Sequence, residues 1–406
     1  MIIGMKKFLQ TFITIGVVVL IFFICLRIFA SDSFPELGRV IAFEGTSTVS
    51  TSTAADVATT TYEEPKKIVH MNMPDEVRGI YVSSYSFLSD TFRKKLDSMI
   101  DNTTINTIVV DIKDAPGTIL FDIGLDSPCV QSLLSKEKLE ERLAYYQSKG
   151  IYTVARIAVF RDACFVKEHP ELAVKDMQGN PWRDFKGNYW LSPHQQETKE
   201  YIRDMAKAVY DRGFDEVQFD YVRYPSDGNM KNVAYQYISD VDASSTPMVK
   251  RRATLKSFFS YMRSELTGIP ISADVFGMVL TNTDDLTIGQ HLDDIAPYVD
   301  ALSGMIYPSH FPKQWNGLRD THAQPYETIY DSSKMGLDRM TVLFGSSTAR
   351  KLSRPWLQDF SIFGVVYNAP EVKAEIKALD DLGIHNFLLW NASNRYTPGV
   401  LDKSSF

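Results

Sequence analysis

Short runs rich in β-branched and aromatic residues alternate with longer amphipathic stretches along most of this chain. The runs fall at 78–84, 107–113, 152–160, 216–224, 271–277, 301–308, 354–360 and 387–393, each about the length of one strand. Between them, 136–149, 195–212 and 249–267 read as helices, each followed at once by a glycine (Gly150, Gly213, Gly268) suited to the left-handed turn that ends a helix. The third shows its period best. Leu255, Phe258, Phe259, Met262 and Leu266 recur at helical spacing and form one apolar stripe that must lie on a sheet. Residues 371–382 repeat the design through Val372, Ile376 and Leu379, with Pro370 near the first turn and Gly383 behind.

Eight strands alternating with helices predict an α/β fold, a closed (β/α)8 TIM barrel over 76–406. An open doubly wound sheet is the competing architecture, but its Gly-x-Gly-x-x-Gly fingerprint after the first strand is absent. The connections at 161–194 and 225–247 are long and are expected to cap the barrel mouth.

The beginning of the chain follows another pattern. Lys6 and Lys7 precede an almost unbroken apolar run from Phe8 to Leu26, close to the ~20 residues that a helix needs to cross a bilayer. Residues 1–30 are therefore expected to be an uncleaved signal anchor, a transmembrane helix, with a cleaved signal peptide and a secreted product as the alternative. The positive-inside rule keeps the two lysines cytoplasmic and places the rest outside the membrane. Residues 31–75 include a Ser/Thr-rich stretch with few large apolar groups and read as a linker. Cys129 and Cys164 are the only cysteines beyond the membrane run, and both a disulfide and two free thiols are open.

With 44% hydrophobic residues the chain can bury a large core, and a net charge of -7 speaks against nucleic acid as partner. The seven histidines are scattered, no His/Cys pair has metal-ligand spacing, and neither a metal nor an organic cofactor is expected.

In a barrel enzyme the chemistry sits where the strands end, and acids collect there: Asp111, Asp220, Asp274 and Asp359. Alternation puts Gln218, Asp220 and Val222 on one face of their strand, with Val217, Phe219 and Tyr221 on the other, so Asp220 points into the barrel. Asp274 shares its face with Ser272 on the next strand. Two such acids can approach the separations of glycosidase pairs, about 5–5.5 Å for retention and 6.5–9.5 Å for inversion. The alternative is an ion-pair network with Arg156, Arg161 and Arg223 as partners. Trp190 and Trp390 offer flat faces to sugar rings, and Tyr307 and His310 close strand six with polar groups fit for a hydroxylated ligand.

The run Arg212-Gly213-Phe214-Asp215-Glu216-Val217-Gln218-Phe219-Asp220-Tyr221-Val222-Arg223-Tyr224-Pro225 resembles the strand-four signature of a bacterial putative glycosyl hydrolase domain family, a TIM barrel distantly like the α-amylases. Arg78-Gly79-Ile80-Tyr81-Val82, Val110-Asp111-Ile112-Lys113-Asp114, Ser272-Ala273-Asp274-Val275-Phe276-Gly277, Met305-Ile306-Tyr307-Pro308-Ser309-His310 and Arg354-Pro355-Trp356-Leu357-Gln358-Asp359-Phe360 are similar to its other blocks. The resemblance implies Asp220 as the strand-four nucleophile, Asp274 at the strand-five acid position and Asp359 as the strand-seven stabilising acid. Asp274 departs from the amylase pattern, which carries a Glu there, and is shorter by one methylene. The expectation is a membrane-tethered, extracytoplasmic glycoside hydrolase acting on a polysaccharide. Asp220, Asp274 and Asp359 are its catalytic acids, and Asp111, Arg156, Arg223, Tyr307, His310, Trp190 and Trp390 contact the substrate. A barrel that binds cell-wall glycan without cleaving it is the alternative.

Overall fold

All eight β-rich runs become strands of one closed parallel sheet. The computed structural model describes residues 68–403. The strands are β1 (Arg78–Val82), β2 (Thr107–Lys113), β3 (Tyr152–Ala158), β4 (Glu216–Asp220), β5 (Ile271–Phe276), β6 (Ala301–Met305), β7 (Trp356–Gln358) and β8 (Phe387–Trp390). Each pairs with the next in chain order, and β1 also pairs with β8: Ile80 lies beside Ile108 on one side and Leu389 on the other.

Strand alternation divides the apolar residues into two clusters. Ile80, Val82, Ile108, Val110, Ala155, Ile157, Val217, Phe219, Ala273 and Val275 face outward and pack with the helices in one large cluster. Tyr81, Val109, Tyr152, Val154, Tyr307, Trp356 and Leu388 form a second cluster inside the barrel. Burial on both faces is what makes these strands read as nearly continuous apolar runs.

The surrounding helices are α1 (Asp90–Asn102), α2 (Lys136–Ser148), α3 (Gln196–Asp211), α4 (Pro247–Glu265), α5 (Leu292–Ile295), α6 (Pro325–Phe344) and α7 (Ala369–Asp380). Thr246 caps α4 by accepting a hydrogen bond from the Val249 N–H, and Asn368 and Glu371 form a capping box at α7. Gly150 and Gly268 follow α2 and α4 with φ of +76° and +80° and no atom close enough to meet a Cβ, so backbone conformation alone calls for glycine there. Two helices depart from the sequence expectation. The sequence reading did not single out α6, whose buried face sets small residues (Ser332, Ser333 and Gly336) between Ile329 and the pair Leu337 and Met340, and a Cβ on Gly336 would meet Leu280 at 3.0 Å. After β5, a full helix shrinks to the four-residue α5.

The two long loops meet each other. Lys175–Asp176 pairs antiparallel with Val233–Ala234, so the connections after β3 and β4 are joined by a small sheet of their own. Cys129 and Cys164 are joined as a disulfide with Cα atoms 5.8 Å apart, tying the segment after β2 to the helix Ala163–Glu168 that follows β3. Part of the expected linker also packs against the barrel domain: His70 stacks on Tyr210 at 3.7 Å, and the Met71 N–H donates to Asp215 at 2.7 Å. Among the described residues no helix is long and apolar enough to cross a membrane, and the expected anchor at 1–30 lies outside them.

Candidate active site

Arg156 rises from β3 between Asp111 of β2 and the β4 strand. Neighbouring strands run in register there, with Asp111 beside Arg156, Arg156 beside Gln218 and Gln218 beside Ser272. Two residues further along, on the same faces as Gln218 and Ser272, stand Asp220 and Asp274. The guanidinium joins all three acids: Nη1 pairs with Asp111, Nη2 pairs with Asp220, and Nε lies 3.6 Å from Asp274 Oδ2. A single guanidinium is small, so Asp220 and Asp274 stand less than roughly 10 Å apart, within the reach of glycosidase carboxylate pairs.

Two backbone irregularities aim these groups. The β2–β3 register shifts between Asp111 and Lys113, a bulge of the kind that re-aims side chains beside active sites. Lys113 is thereby taken into a fully buried ion pair with Asp162 at 2.8 Å, away from the site acids. Asp220 is the last residue of β4, and Tyr221 after it adopts φ of +50°, a region that non-glycine residues rarely enter. In that conformation the Tyr221 N–H donates to Asp220 Oδ1 at 2.5 Å.

Three acids share one cation in a buried site, so full ionisation is unfavourable. Asp274, 1% exposed, is held well above the usual carboxylate range by burial first and by the Asp220 charge second. Arg156 opposes that shift, as does the Trp356 indole N–H, which donates to Asp274 Oδ1 at 2.8 Å. Tyr307 is pushed up by burial and then by Asp274 and Asp220. Tyr81 donates to Asp111 Oδ2 at 2.6 Å, and burial followed by the Asp111 charge pushes its hydroxyl up as well.

Aromatic rings wall the site. Trp390 packs on Tyr81 at 4.1 Å and lies 5.2 Å from the Arg156 guanidinium, with the Trp356 ring edge-on to it at 5.4 Å. Beside Tyr307, the ends of β5 and β6 open into a cleft of about 510 Å³ lined by Phe276, Met278, Leu286, Met305 and Phe311, with His310 at its side. Among the described residues no group of three or more His, Cys, Asp or Glu is arranged to hold a metal ion.

The structure thus brings together Asp111, Arg156, Asp220, Asp274, Tyr307 and Trp390. Trp190 and Arg223 sit one step outward, the guanidinium 4.9 Å from the Trp190 ring, and His310 lies at the cleft with its ring 5.1 Å from that of Tyr307. Asp359 is directed elsewhere. Its carboxylate accepts the Thr397 N–H at 2.9 Å and the Thr397 hydroxyl, and it makes no ion pair with Arg156. Trp356 faces into the barrel, so alternation turns Leu357 and Asp359 outward. Tyr81 and Trp356 are site residues that the sequence reading missed. The same alternation on β1 and β7 was the signal that could have found them.

Comparisons with known proteins fit this architecture. The glycoside hydrolase domain of PgaB (BpsB) from Bordetella bronchiseptica aligns with a TM-score of 0.58 at 14% identity, over 78% of this chain and 94% of that one, a likeness of fold. A hypothetical protein from Ruminiclostridium thermocellum is 28% identical over 48% of this chain and 97% of that one, with a TM-score of 0.42. No curated protein matches the chain. A family model described as a putative glycosyl hydrolase domain matches residues 79–396, a span that holds the whole barrel mouth and all its acids, and the chain belongs to that family of glycoside hydrolases.

Proposed function

We propose that this chain cleaves O-glycosidic bonds of a polysaccharide with Asp274 as proton donor and Asp220 as its anionic partner. The observation that carries the reading is the convergence of both carboxyls on Arg156, with burial and the Asp220 charge holding the Asp274 carboxyl above the usual range. A general acid must hold a proton at working pH and release it to the leaving oxygen, and burial beside a second carboxylate is how proteins raise such an acid. Asp220, ion-paired to Arg156 and fixed by the Tyr221 N–H, attacks the anomeric carbon or activates water. Trp390 and Tyr81 give the sugar ring an apolar wall. The apolar run at 8–26 behind Lys6 and Lys7 supports a membrane-tethered, extracytoplasmic enzyme.

The test is a glycan hydrolysis screen followed by Asp220→Asn and Asp274→Asn. Loss of turnover in both, with Asp274→Asn retaining activity on aryl glycosides whose leaving groups need no proton, is the expected pattern. Unchanged turnover in Asp220→Asn removes that residue from the chemistry. Fractionation of cells with and without residues 1–30 tests the tether.

One observation favours a second reading, a barrel that binds glycan without cutting it. Arg156 occupies the space between the acids, and it and Asp220 are only 5% and 6% exposed. Glycan binding without release of reducing ends would select it.

A further inference from the structure

Four arginines are buried among the described residues: Arg156, Arg223, Arg251 and Arg354. Arg156 meets Asp111 and Asp220, Arg251 meets Asp285, and Arg354 meets Glu216. Arg223 alone has no carboxylate within ion-pair distance, although it is 9% exposed and stands at the mouth, three residues past Asp220. Its guanidinium lies 4.7 Å from the Phe276 ring, 4.9 Å from the Trp190 ring and 5.5 Å from the Tyr221 ring, three aromatic contacts that fix its position.

Its hydrogen bonds are one-sided. Nη1 donates to the Tyr224 carbonyl at 3.2 Å and to Ser226 Oγ at 3.0 Å, whereas Nε and Nη2 have no hydrogen-bond partner. These two atoms are also not among the sealed, unpartnered polar atoms of the interior, so their edge keeps access to solvent. Nε and Nη2 form the edge that Arg251 uses on Asp285, donating from Nε at 2.7 Å and from Nη2 at 2.9 Å to the two carboxylate oxygens. This is the bidentate geometry for which guanidinium and carboxylate match. A buried cation without an anion is costly, and burial pushes the Arg223 pKa down, with Asp220 acting against it.

We infer that the free edge of Arg223 is a subsite for a carboxylate carried by the substrate, which makes the substrate a uronic-acid-containing glycan. The inference rests on the glycosidase reading for the place of the sugar, and it adds the charge of that sugar. Arg223 stands three residues past Asp220 against Phe276, a residue that also lines the cleft beside Tyr307, so a carboxylate held by its free edge would belong to a sugar unit neighbouring the one at Asp220 and Asp274.

The experiment measures binding of the intact protein to oligogalacturonides, hyaluronan fragments and alginate fragments, each beside its carboxyl-reduced neutral counterpart, with a sulfated neutral oligosaccharide as a separate arm. At least one uronate ligand should bind 10-fold or more tighter than its reduced form, with affinity falling as salt rises. Arg223→Gln should erase that preference and Arg223→Lys should retain part of it. Equal affinity of wild-type protein for every acidic and reduced pair overturns the inference without any variant, as does absence of binding to all the acidic ligands or a preference kept intact in Arg223→Gln. Tighter binding of the sulfated ligand than of any uronate overturns the carboxylate assignment. Reducing ends released from neutral glycans with no acidic preference would sink this inference and leave the hydrolase standing. Acidic preference without released ends would do the opposite.

Discussion

Strand β4 begins with Glu216 and ends with Asp220, and each carboxylate meets a buried arginine inside the barrel, yet the two ends are built differently. At the lower end one acid faces one base. Arg354 donates to Glu216 from both Nη atoms, 2.9 Å at Oε2, while the Tyr152 hydroxyl at 3.2 Å and the Ser272 hydroxyl also donate to that carboxylate. Charge is balanced and the carboxylate is surrounded by donors, as a buried pair requires if it is to be tolerated. At the upper end three acids share Arg156. The excess of negative charge pushes Asp274 toward its protonated form, since burial and the Asp220 charge hold its pKa above the usual carboxylate range, and the lower network has no such excess. A balanced buried pair is architecture, whereas the imbalance at the upper end is what the proposed hydrolysis would draw on.

Substitution should separate the two ends. The largest effect is expected from Asp274→Asn or Asp220→Asn. Turnover on the glycan found by screening should fall about 10²–10⁴-fold while the denaturation midpoint changes little, because Arg156 keeps two acids. A large loss of stability with unchanged turnover would assign the upper network to architecture too. Next comes Glu216→Gln, which strands Arg354 and should cost about 3–5 kcal/mol of unfolding free energy by urea titration. Replacing both partners, Glu216→Met with Arg354→Leu, should recover most of that loss; failure to recover would show that the pair does more than balance charge.

A smaller loss, about 1.5–3 kcal/mol, is expected for Tyr152→Phe, which removes one hydrogen bond to the buried Glu216 carboxylate. The smallest effect should be Trp356→Phe. It deletes the N–H that holds the Asp274 pKa down, so the alkaline limb of the pH–rate profile should move to higher pH by less than about one unit. The sign of the stability linkage follows from the same raised pKa. The contribution of protonated Asp274 is full below the ordinary carboxylate value and is lost as pH rises through the raised folded one. Wild-type protein should therefore lose stability relative to Asp274→Asn over that window, as read by denaturation at a series of pH values. A pH-independent difference would remove Asp274 as the upper proton holder.

The barrel was legible because its signals are local. Apolar runs, helix periods and terminal glycines each act within about ten residues, and Leu255, Phe258 and Phe259 announce a buried helix face wherever they occur. Helix α6 is harder to read because Ser332, Ser333 and Gly336 interrupt the apolar stripe of Ile329, Leu337 and Met340 on its buried face. Alternation alone sufficed to turn Asp220 inward. For Asp359 it was the neighbour Trp356 that mattered, since its inward ring fixes the parity of β7.

The sequence by itself determined eight strands, their order and the faces on which Asp220 and Asp274 stand, because periodicity and side-chain alternation are properties of a single segment. Which acid shares which cation, which carboxyl is pushed above the usual range and which arginine is left without a carboxylate depend on strands far apart in the chain lying side by side. Only closure of the sheet brings Asp111, Arg156, Asp220 and Asp274 together in a low-dielectric interior, where charges must be settled among neighbours rather than by water.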